Sequence, residues 1–339
     1  MAVYTQLGAE ALAELIAAFG VGELRSAKGI AEGVSNSNWL IETSGADGAN
    51  AGQAGTRFIL TMYEARVDLA DLPFFLDLLD YLAERGCPVP ATIHCRDNKS
   101  FRFVGDPNSP TGAEKAVALI EFLPGVSVSE PTPVQARAVG EALAKLHLAV
   151  RDFPATRANS MGPAQWRAFA EQCGSAGFAS IAPSLADLVA TELASLKRDW
   201  PTELPRSVIH ADLFPDNVLM LGDQVSGLID FYFACTDITA YDVAVTHAAW
   251  CFDASGGRFD PALSAALLHG YESVRPLSDD ERRALPTLAR GAAMRFLMTR
   301  AYDWLNTPAG ALVTRKDPLA FARRLTFYAD PANSGIFAQ

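Results

Sequence analysis

A short polar segment near residue 210 contains residue types that can transfer a phosphoryl group. It reads His210-Ala211-Asp212-Leu213-Phe214-Pro215-Asp216-Asn217, and Asp230 follows after an apolar stretch. In the spacing H-x-D-x-x-x-x-N, the Asp can accept the proton of an attacking hydroxyl and the Asn can bind Mg²⁺. A second Asp downstream supplies another hard oxygen ligand. The segment therefore predicts Asp212 as the catalytic base, and Asn217 and Asp230 as metal ligands.

Two other residues of this segment have simpler interpretations. We expect His210 to orient the loop by hydrogen bonding rather than to carry a proton. For Asp216, a structural role as a turn carboxylate agrees with the sequence as well as a functional role does. The whole segment also has a structural alternative. It could be a surface turn that Asp and Asn side chains stabilise, beside a buried His whose ring nitrogens are already hydrogen bonded.

The flanking residues predict the strands that must position this segment. A β-rich run at 207–209 enters the loop. Residues 218–221 and 225–229 then read as two strands of a hairpin around a Gly-Asp turn, and the second strand delivers Asp230. This strand, loop and hairpin are the setting that the motif requires.

The first third of the chain predicts a small β-rich lobe. Strands are expected at 24–31, 39–43, 58–63 and 116–120, and helices at 7–19 and 72–82, from periods of two and 3.6 residues. Pro124 and Gly125 then make a plausible hinge between lobes. Backbone groups of a kinase-like hinge usually hold adenine. We therefore expect the segment from Glu121 to Leu123 to contact the base, with Glu121 and Leu123 as the main candidates.

The loop from Gly29 to Asn38 can present backbone N–H groups and polar side chains to a triphosphate. Its candidate nucleotide contacts are Gly33, Ser35, Asn36 and Asn38. The loop lacks both G-x-G-x-x-G and the Walker spacing, so an ordinary hairpin turn is the alternative.

Thr61 occupies the strand position at which kinase folds usually carry a Lys. A hydroxyl can hydrogen bond to phosphate, but it adds no positive charge. Either another cation replaces that Lys, with Lys28 and Arg66 as candidates, or magnesium neutralises more of the phosphate charge.

The remainder of the chain predicts a mainly helical lobe around the single short hairpin. Helical spacing covers 135–150, 165–173, 183–199, 240–252, 260–272, 278–306 and 317–328. The fold class predicted is therefore α+β, a two-lobed protein-kinase-like fold. Its small β-rich N-terminal lobe, residues 1–123, binds nucleotide, and its larger helical C-terminal lobe, residues 124–339, carries the catalytic and substrate-binding groups.

Composition narrows the choice of partner and compartment. The chain has 339 residues, enough for two domains, and its 28 basic and 39 acidic residues give a net charge of −11. This charge disfavours nucleic acid and anionic membrane surfaces, and it favours a small-molecule substrate. Five cysteines without C-x-x-C spacing indicate free thiols, with neither disulfides nor structural zinc. We expect a cytoplasmic protein, since no signal peptide or membrane span is evident.

Several motifs together resemble those of a known family. They are Lys28-Gly29-Ile30-Ala31-Glu32-Gly33, Leu60-Thr61-Met62-Tyr63-Glu64, Leu72-Pro73-Phe74-Phe75, the segment 210–217, Gly227-Leu228-Ile229-Asp230-Phe231-Tyr232 and Tyr241-Asp242-Val243-Ala244. Over nearly its whole length the chain resembles the homoserine kinases of the aminoglycoside phosphotransferase and choline kinase superfamily. Thr61 is what this branch is expected to have, whereas the Gly- and Ala-rich insertion at 44–56 departs from the compact hairpin expected there.

The resemblance implies that ATP, with Mg²⁺, phosphorylates the hydroxyl of L-homoserine to O-phospho-L-homoserine on the route to threonine. The acceptor then needs a cation for its carboxylate, and Arg295 and Arg300 are the candidates, with lobe packing as the alternative. Tyr232 and Trp304 are candidates for the pocket wall, with core packing as the alternative. Asp242 either binds the ammonium or caps a helix near Val243.

Two other functions remain open from sequence alone. A kinase for another hydroxylated metabolite or an aminoglycoside would share the fold, although no dense acidic cluster suited to a polycation is present at 231–253. A nucleotide-binding pseudoenzyme is suggested by Thr61, but a dead site has no chemical need for Asp212, Asn217 and Asp230. A protein kinase is disfavoured because D-F-G and A-P-E runs are absent.

Overall fold

The computed structural model describes residues 7–30, 36–45, 57–63, 68–105, 114–307 and 315–338. The chain divides into two compact units, residues 1–124 and 125–339. The first is rich in strands and the second is mainly helical. Within the described residues, no helix is both long enough and apolar enough to cross a membrane.

An antiparallel sheet forms the centre of the first unit. Its strands are β1 (Leu24–Ile30), β2 (Ser37–Thr43), β3 (Arg57–Met62), β4 (Thr92–Ile93), β5 (Arg102–Gly105) and β6 (Glu114–Glu121). The order is β1-β2-β3-β6-β4, and β5 pairs with the other half of the same edge of β6. Alternate residues of β2 are buried, because successive side chains of a strand point to opposite faces.

Two helices accompany this sheet, α1 (Ala9–Phe19) and α2 (Leu72–Ala83). Apolar residues recur along α1 at helical spacing, and Gly20 ends the helix in the left-handed conformation that glycine adopts without strain. The buried face of α1, which includes Ile16 and Phe19, packs with Trp39, Ile41 and other sheet residues in one core cluster.

The second unit is built mainly from helices, and two of them begin at a capping box. The helices are α3 (Pro133–Ala149), α4 (Pro163–Ile181), α5 (Leu185–Asp199), α6 (Thr239–Trp250), α7 (Pro261–Val274), α8 (Asp279–Asn306) and α9 (Leu319–Ala329). Thr132 and Ser278 each form a capping box, with Gln135 and Glu281 respectively. Every residue of α6 is buried, so this helix is the core around which the others pack.

Four short strands lie among these helices: β7 (Arg206–Ile209), β8 (Val218–Leu221), β9 (Gln224–Leu228) and β10 (Cys235–Ile238). The β8–β9 hairpin agrees with the sequence interpretation. The pairing of β7 with β10 does not, since only one hairpin was expected. Strand β10 has four residues, with a polar Thr and Asp among them, and this run is too short to show a period.

Helices α3 and α7 touch through their backbones. A methyl group added at Gly140 of α3 would collide with the carbonyl oxygen of Leu267, and one added at Gly270 of α7 would collide with the carbonyl oxygen of Arg137. The absence of a side chain at both positions allows this close approach.

Candidate active site

The segment that follows β7 folds into a loop that joins the predicted base to a predicted metal ligand. The amide Nδ2 of Asn217 donates to the Asp212 carbonyl at 2.8 Å and to the Asp212 carboxylate at 3.2 Å. The side chain of Asp212 is 17% exposed, so it is accessible to a small substrate. Because the amide nitrogen of Asn217 is engaged by Asp212, its amide oxygen is the atom that it can offer to a cation.

His210 ties the loop to the strand that delivers Asp230. Its Nδ1 accepts from the backbone N–H of Asp212 at 3.2 Å, and its Nε2 donates to the Ile229 carbonyl at 3.0 Å. Burial lowers the pKa of His210, and the pattern of bonds is that of a neutral ring. This geometry fits the orienting role expected for His210, since both ring nitrogens already have protein partners.

The hairpin brings Asn217 and Asp230 to its open end. Val218 pairs with Leu228, and the Ile229 amide donates to the Asn217 carbonyl at 3.0 Å. Asp230 then turns the chain in a left-handed conformation, with φ of 66°. An amide oxygen and a carboxylate at neighbouring points of one hairpin fit the hard-oxygen preference of Mg²⁺.

Electrostatics at this end of the hairpin favour a bound cation. Burial raises the pKa of Asp212 to about 7, with the nearby charge of Asp230 adding to the shift and that of Arg295 opposing it. Asp230 remains exposed, but the protein around it removes part of its hydration and raises its pKa to about 6. Carboxylates whose ionisation is disfavoured by burial are stabilised as anions when a divalent metal lies beside them.

Asp242 holds the loop from within the protein, which corrects its expected role at the substrate. It is fully buried, and its carboxylate accepts from the backbone N–H groups of His210 and Ala211, each at 2.7 Å. The same carboxylate accepts from Nε2 of His147 at 3.1 Å. Asp242 also lies inside α6 rather than at its N-cap, which is Ile238. Because Asp242 is fully buried and already accepts from three internal donors, it is not accessible to an ammonium ligand.

Burial raises the pKa of Asp242, but the hydrogen bonds and charges of His147 and His210 together outweigh burial, and the net pKa lies below the ordinary value. Asp242 is therefore an anion that fixes the backbone of the loop. Trp250 of α6 adds a further contact, since its indole N–H donates to the Leu213 carbonyl at 2.9 Å.

Arg295 is engaged with the same loop from α8. It is 2% exposed, and it donates to the Ala211 carbonyl and lies 3.8 Å from the Asp212 carboxylate. Its guanidinium also lies over Phe233, 5.1 Å from the ring centroid. These contacts place Arg295 beside the predicted base, and its burial argues against the expected role as a freely accessible ligand for a substrate carboxylate.

The other predicted substrate residues, Arg300, Tyr232 and Trp304, differ in how they interact with the loop. Arg300 interacts electrostatically with Asp212 and Asp216, and burial lowers its pKa to about 10, so it remains a cation at neutral pH. Tyr232 lies two residues after Asp230, and its backbone N–H donates to the Asp230 carboxylate. Trp304 is 37% exposed near the end of α8, where Arg315 covers its ring, and no described contact joins it to the loop.

In the first unit, the structure brings together two of the predicted nucleotide contacts. Asn38 and Thr61 are register partners on β2 and β3, and the Thr61 hydroxyl donates to the Asn38 amide oxygen at 2.8 Å. The proton of Thr61 is therefore used within the protein, and Asn38 retains its NH₂ group as a donor. Asn36 lies buried just before β2, and Lys28 is exposed on β1. Gly33, Ser35, Arg66 and residues 46–56 of the insertion lie outside the described residues.

The predicted adenine contact lies where β6 ends. The Glu121 backbone N–H donates to the Ala91 carbonyl at 2.9 Å, so this amide is not offered to a base. The Ala91 N–H donates to the Glu121 carboxylate at 3.2 Å, so Ala91 does not use the Glu121 carbonyl. That carbonyl, and the backbone of Leu123 beyond the strand, remain the candidate groups.

Sequence interpretation missed two residues that the structure places near the loop. His147 is buried in α3, where nothing in the sequence distinguishes it from a packed core His. Lys316 pairs with Asp216 at 3.7 Å, although the two are 100 positions apart in the chain. Only a three-dimensional structure could connect such positions.

Comparison with known proteins identifies the family. The model of the phosphotransferase enzyme family matches residues 26–277. The chain belongs to that family. A homoserine kinase from Gluconacetobacter diazotrophicus is 49% identical over 339 residues, covering 99% of each chain. One from Gluconobacter oxydans is 47% identical over 330 residues, covering 97% of this chain and 98% of the relative.

Solved structures support the same fold for this phosphotransferase. The amicoumacin kinase hAmiN, in complex with AMP-PNP, Ca²⁺ and Ami, aligns with a TM-score of 0.67 at 14% identity. The alignment covers 98% of this chain and 94% of that kinase. The predicted kinase-like α+β fold and the prediction of a kinase are confirmed.

Proposed function

We propose that this phosphotransferase transfers the terminal phosphate of ATP to the hydroxyl of L-homoserine, giving O-phospho-L-homoserine. The observation that carries the proposal is the identity of 47–49% with curated homoserine kinases across 97–99% of the chain. The loop geometry around Asp212 and Asn217 supplies the groups that such a transfer needs.

Asp212 is proposed to accept the proton of the homoserine hydroxyl as it attacks phosphorus. The base must be an anion and must be oriented, and Asn217 and Arg295 both contact its carboxylate. Backbone atoms of the loop are fixed in turn by Asp242. Phosphoryl transfer depends mainly on such positioning and on charge stabilisation, because the protein itself forms no covalent bond.

Asn217 and Asp230 are proposed to hold magnesium. When bound, the metal neutralises phosphate charge and orients the terminal phosphate. The contribution of the protein is to keep these two oxygen ligands at the open end of the β8–β9 hairpin. His210 maintains that spacing through the Ile229 carbonyl at 3.0 Å.

For the nucleotide, we propose that Asn36 and Asn38 contact phosphate, and that the Glu121 carbonyl and the Leu123 backbone contact adenine. Thr61 is then a residue that orients Asn38 rather than a direct phosphate donor, because its proton is engaged at 2.8 Å. Gly33 and Ser35 remain candidates from the sequence alone.

For the acceptor, we propose that Arg300 binds the homoserine carboxylate and that Tyr232 contributes to the pocket wall. Arg300 keeps its charge at neutral pH and lies within electrostatic range of Asp212. Trp304 is a weaker candidate, since its ring is covered by Arg315 at 5.3 Å. We also place the enzyme in the cytoplasm, where ATP is available and where its five free thiols stay reduced.

The test is magnesium-dependent release of ADP from ATP by the purified protein, with L-homoserine, L-serine, L-threonine, choline and kanamycin as parallel acceptors. We expect stimulation by L-homoserine above all others, and its loss in Asp212→Asn. Asp223→Asn is the matched control, because Asp223 is exposed in the hairpin turn. Stimulation by a different acceptor alone would replace the substrate and retain the chemistry.

A further inference from the structure

A short segment before α9 is held firmly on both sides of one lysine. Arg315 donates to the Trp304 carbonyl at 3.1 Å and lies over the Trp304 ring. On the other side, the Asp317 carboxylate accepts from the Leu319 amide at 2.8 Å, and the Asp317 carbonyl accepts from Arg300 at 3.3 Å. The neighbours of Lys316 are thus fixed to α8 and α9.

Lys316 itself extends to the catalytic loop. Its Nζ lies 3.7 Å from the Asp216 carboxylate and 5.9 Å from the centroid of the Phe214 ring. The side chains of the pair are 60% and 65% exposed, and exposed ion pairs of this kind contribute little to stability. The ammonium group can therefore exchange Asp216 for another anion at small cost.

The charge of Lys316 acts on both functional carboxylates of the site. It lowers the pKa of Asp212 and the pKa of Asp230, opposing the effect of burial on each. Arg295, another cation beside Asp212, is buried against the loop and its backbone, so it is not available to a nucleotide. Lys316 is an exposed cation within range of the proposed base and the proposed metal ligand together.

The position of Lys316 suits it to replace the phosphate-binding cation that strand β3 lacks. Strand β3 carries Thr61 where a kinase fold usually has a phosphate-binding Lys, and the Thr61 proton is already donated to Asn38. We propose that Lys316 binds the terminal phosphate of ATP, exchanging its contact with Asp216 for a phosphate oxygen when the nucleotide binds. The proposal rests on the kinase activity proposed above and names a residue of the same site.

An acceptor carboxylate is the other oxyanion that an ammonium group could bind here, and the experiment must separate the two. The contact of Lys316 with Asp216 at 3.7 Å, one residue before the proposed metal ligand Asn217, favours phosphate, because the metal is expected to lie against the phosphates. The acceptor carboxylate is already provided for by Arg300 in the proposed arrangement.

The decisive measurement needs no acceptor. Dissociation constants for ADP and for a non-hydrolysable ATP analogue are measured by calorimetry, with Mg²⁺ present, for the wild type and for Lys316→Met, Lys316→Arg and Lys197→Met. Lys197 is an exposed lysine on α5 and provides the matched change of charge. We expect Lys316→Met to weaken binding of the ATP analogue about tenfold, as for one lost charge-assisted hydrogen bond, and to spare ADP. Lys316→Arg should retain most of the affinity, and Lys197→Met should match the wild type.

Equal weakening of ADP and the ATP analogue, or no weakening of either, would overturn the proposal. Steady-state kinetics add a second arm, in which Lys316→Met lowers kcat while the KM for L-homoserine stays within about twofold, since one lost stabilising donor acts on the transition state. A raised KM for L-homoserine with unchanged nucleotide affinity would assign Lys316 to the acceptor carboxylate instead. If the wild type binds nucleotide but phosphorylates no homoserine, the proposed function fails, while the comparison of ADP with the ATP analogue still decides the role of Lys316.

Discussion

Replacing Asp242 by Asn should damage the catalytic loop without touching the substrate. The wild-type carboxylate accepts two backbone N–H groups at 2.7 Å and His147 at 3.1 Å. An Asn side chain of the same shape has only one acceptor oxygen. Its NH₂ group must then face a backbone N–H or the N–H of His147, so at least one buried donor loses its partner.

The size of the effect follows from these three bonds. Hydrogen bonds to a buried charged group contribute about 1.5–3 kcal/mol each, and an unsatisfied buried donor costs about 1–3 kcal/mol. The oxygen that remains can retain part of the set, so we expect Asp242→Asn to lower the free energy of unfolding by about 3 kcal/mol. Displacement of the loop by about 1 Å should lower kcat by roughly a hundredfold.

The assay is urea unfolding followed by tryptophan fluorescence, together with steady-state kinetics for L-homoserine. Fluorescence reports mainly on the second unit, since Trp166, Trp200, Trp250 and Trp304 belong to it. Asp223→Asn is again the matched control. The reasoning would be refuted by a variant of wild-type stability whose only defect is a raised KM for L-homoserine, because that pattern belongs to a residue that binds the substrate ammonium.

Three further predictions follow from the site and its surroundings. Asp212→Asn should lower kcat by about 10²–10⁴-fold, the usual contribution of a general base, while calorimetry shows ATP affinity within a few-fold of wild type; near-normal turnover would remove Asp212 as the base. Asp230→Ala should weaken binding of magnesium-ATP by about tenfold or more in a magnesium titration, whereas metal-free ATP should bind both proteins alike. Burial lowers the pKa of His247 to about 3, so the unfolded chain, with an ordinary His pKa near 6.5, takes up the proton first. The stability that neutral His247 contributes is therefore present above about pH 6.5 and is lost as the pH falls towards 3. In that window, the free energy of unfolding of the wild type should fall by about 1.4 kcal/mol per pH unit relative to that of His247→Gln. Parallel pH profiles for the two proteins would contradict this.

The elements near the motif could be predicted from sequence because their signals are local. The turn between β8 and β9 carries its own Gly-Asp pair, and α1 and α8 show periods and caps within a few residues. The kinase-like fold, which the comparisons confirm, could be predicted because such elements recur along the whole chain.

Contacts between distant segments were beyond prediction, because no local pattern in a single sequence shows which helix faces which loop. Asp242 was predicted as a substrate ligand or a helix cap, yet its partners His147 and His210 lie on other elements. Arg295 and Arg300 could not be told apart either, since only their burial and partners separate one from the other. Lys316 belongs to none of the sequence motifs identified above.

The crossing of α3 and α7 sets a practical boundary for engineering this enzyme. Gly140 and Gly270 face the opposing backbone, so any mutagenesis library that varies them will be depleted of folded clones. The same crossing lies next to the pair His147 and Tyr271, whose hydrogen bond measures 2.8 Å. Libraries designed to select for new acceptors should therefore vary the end of α8 and the segment before α9. They should keep the residues at the contact between α3 and α7 unchanged.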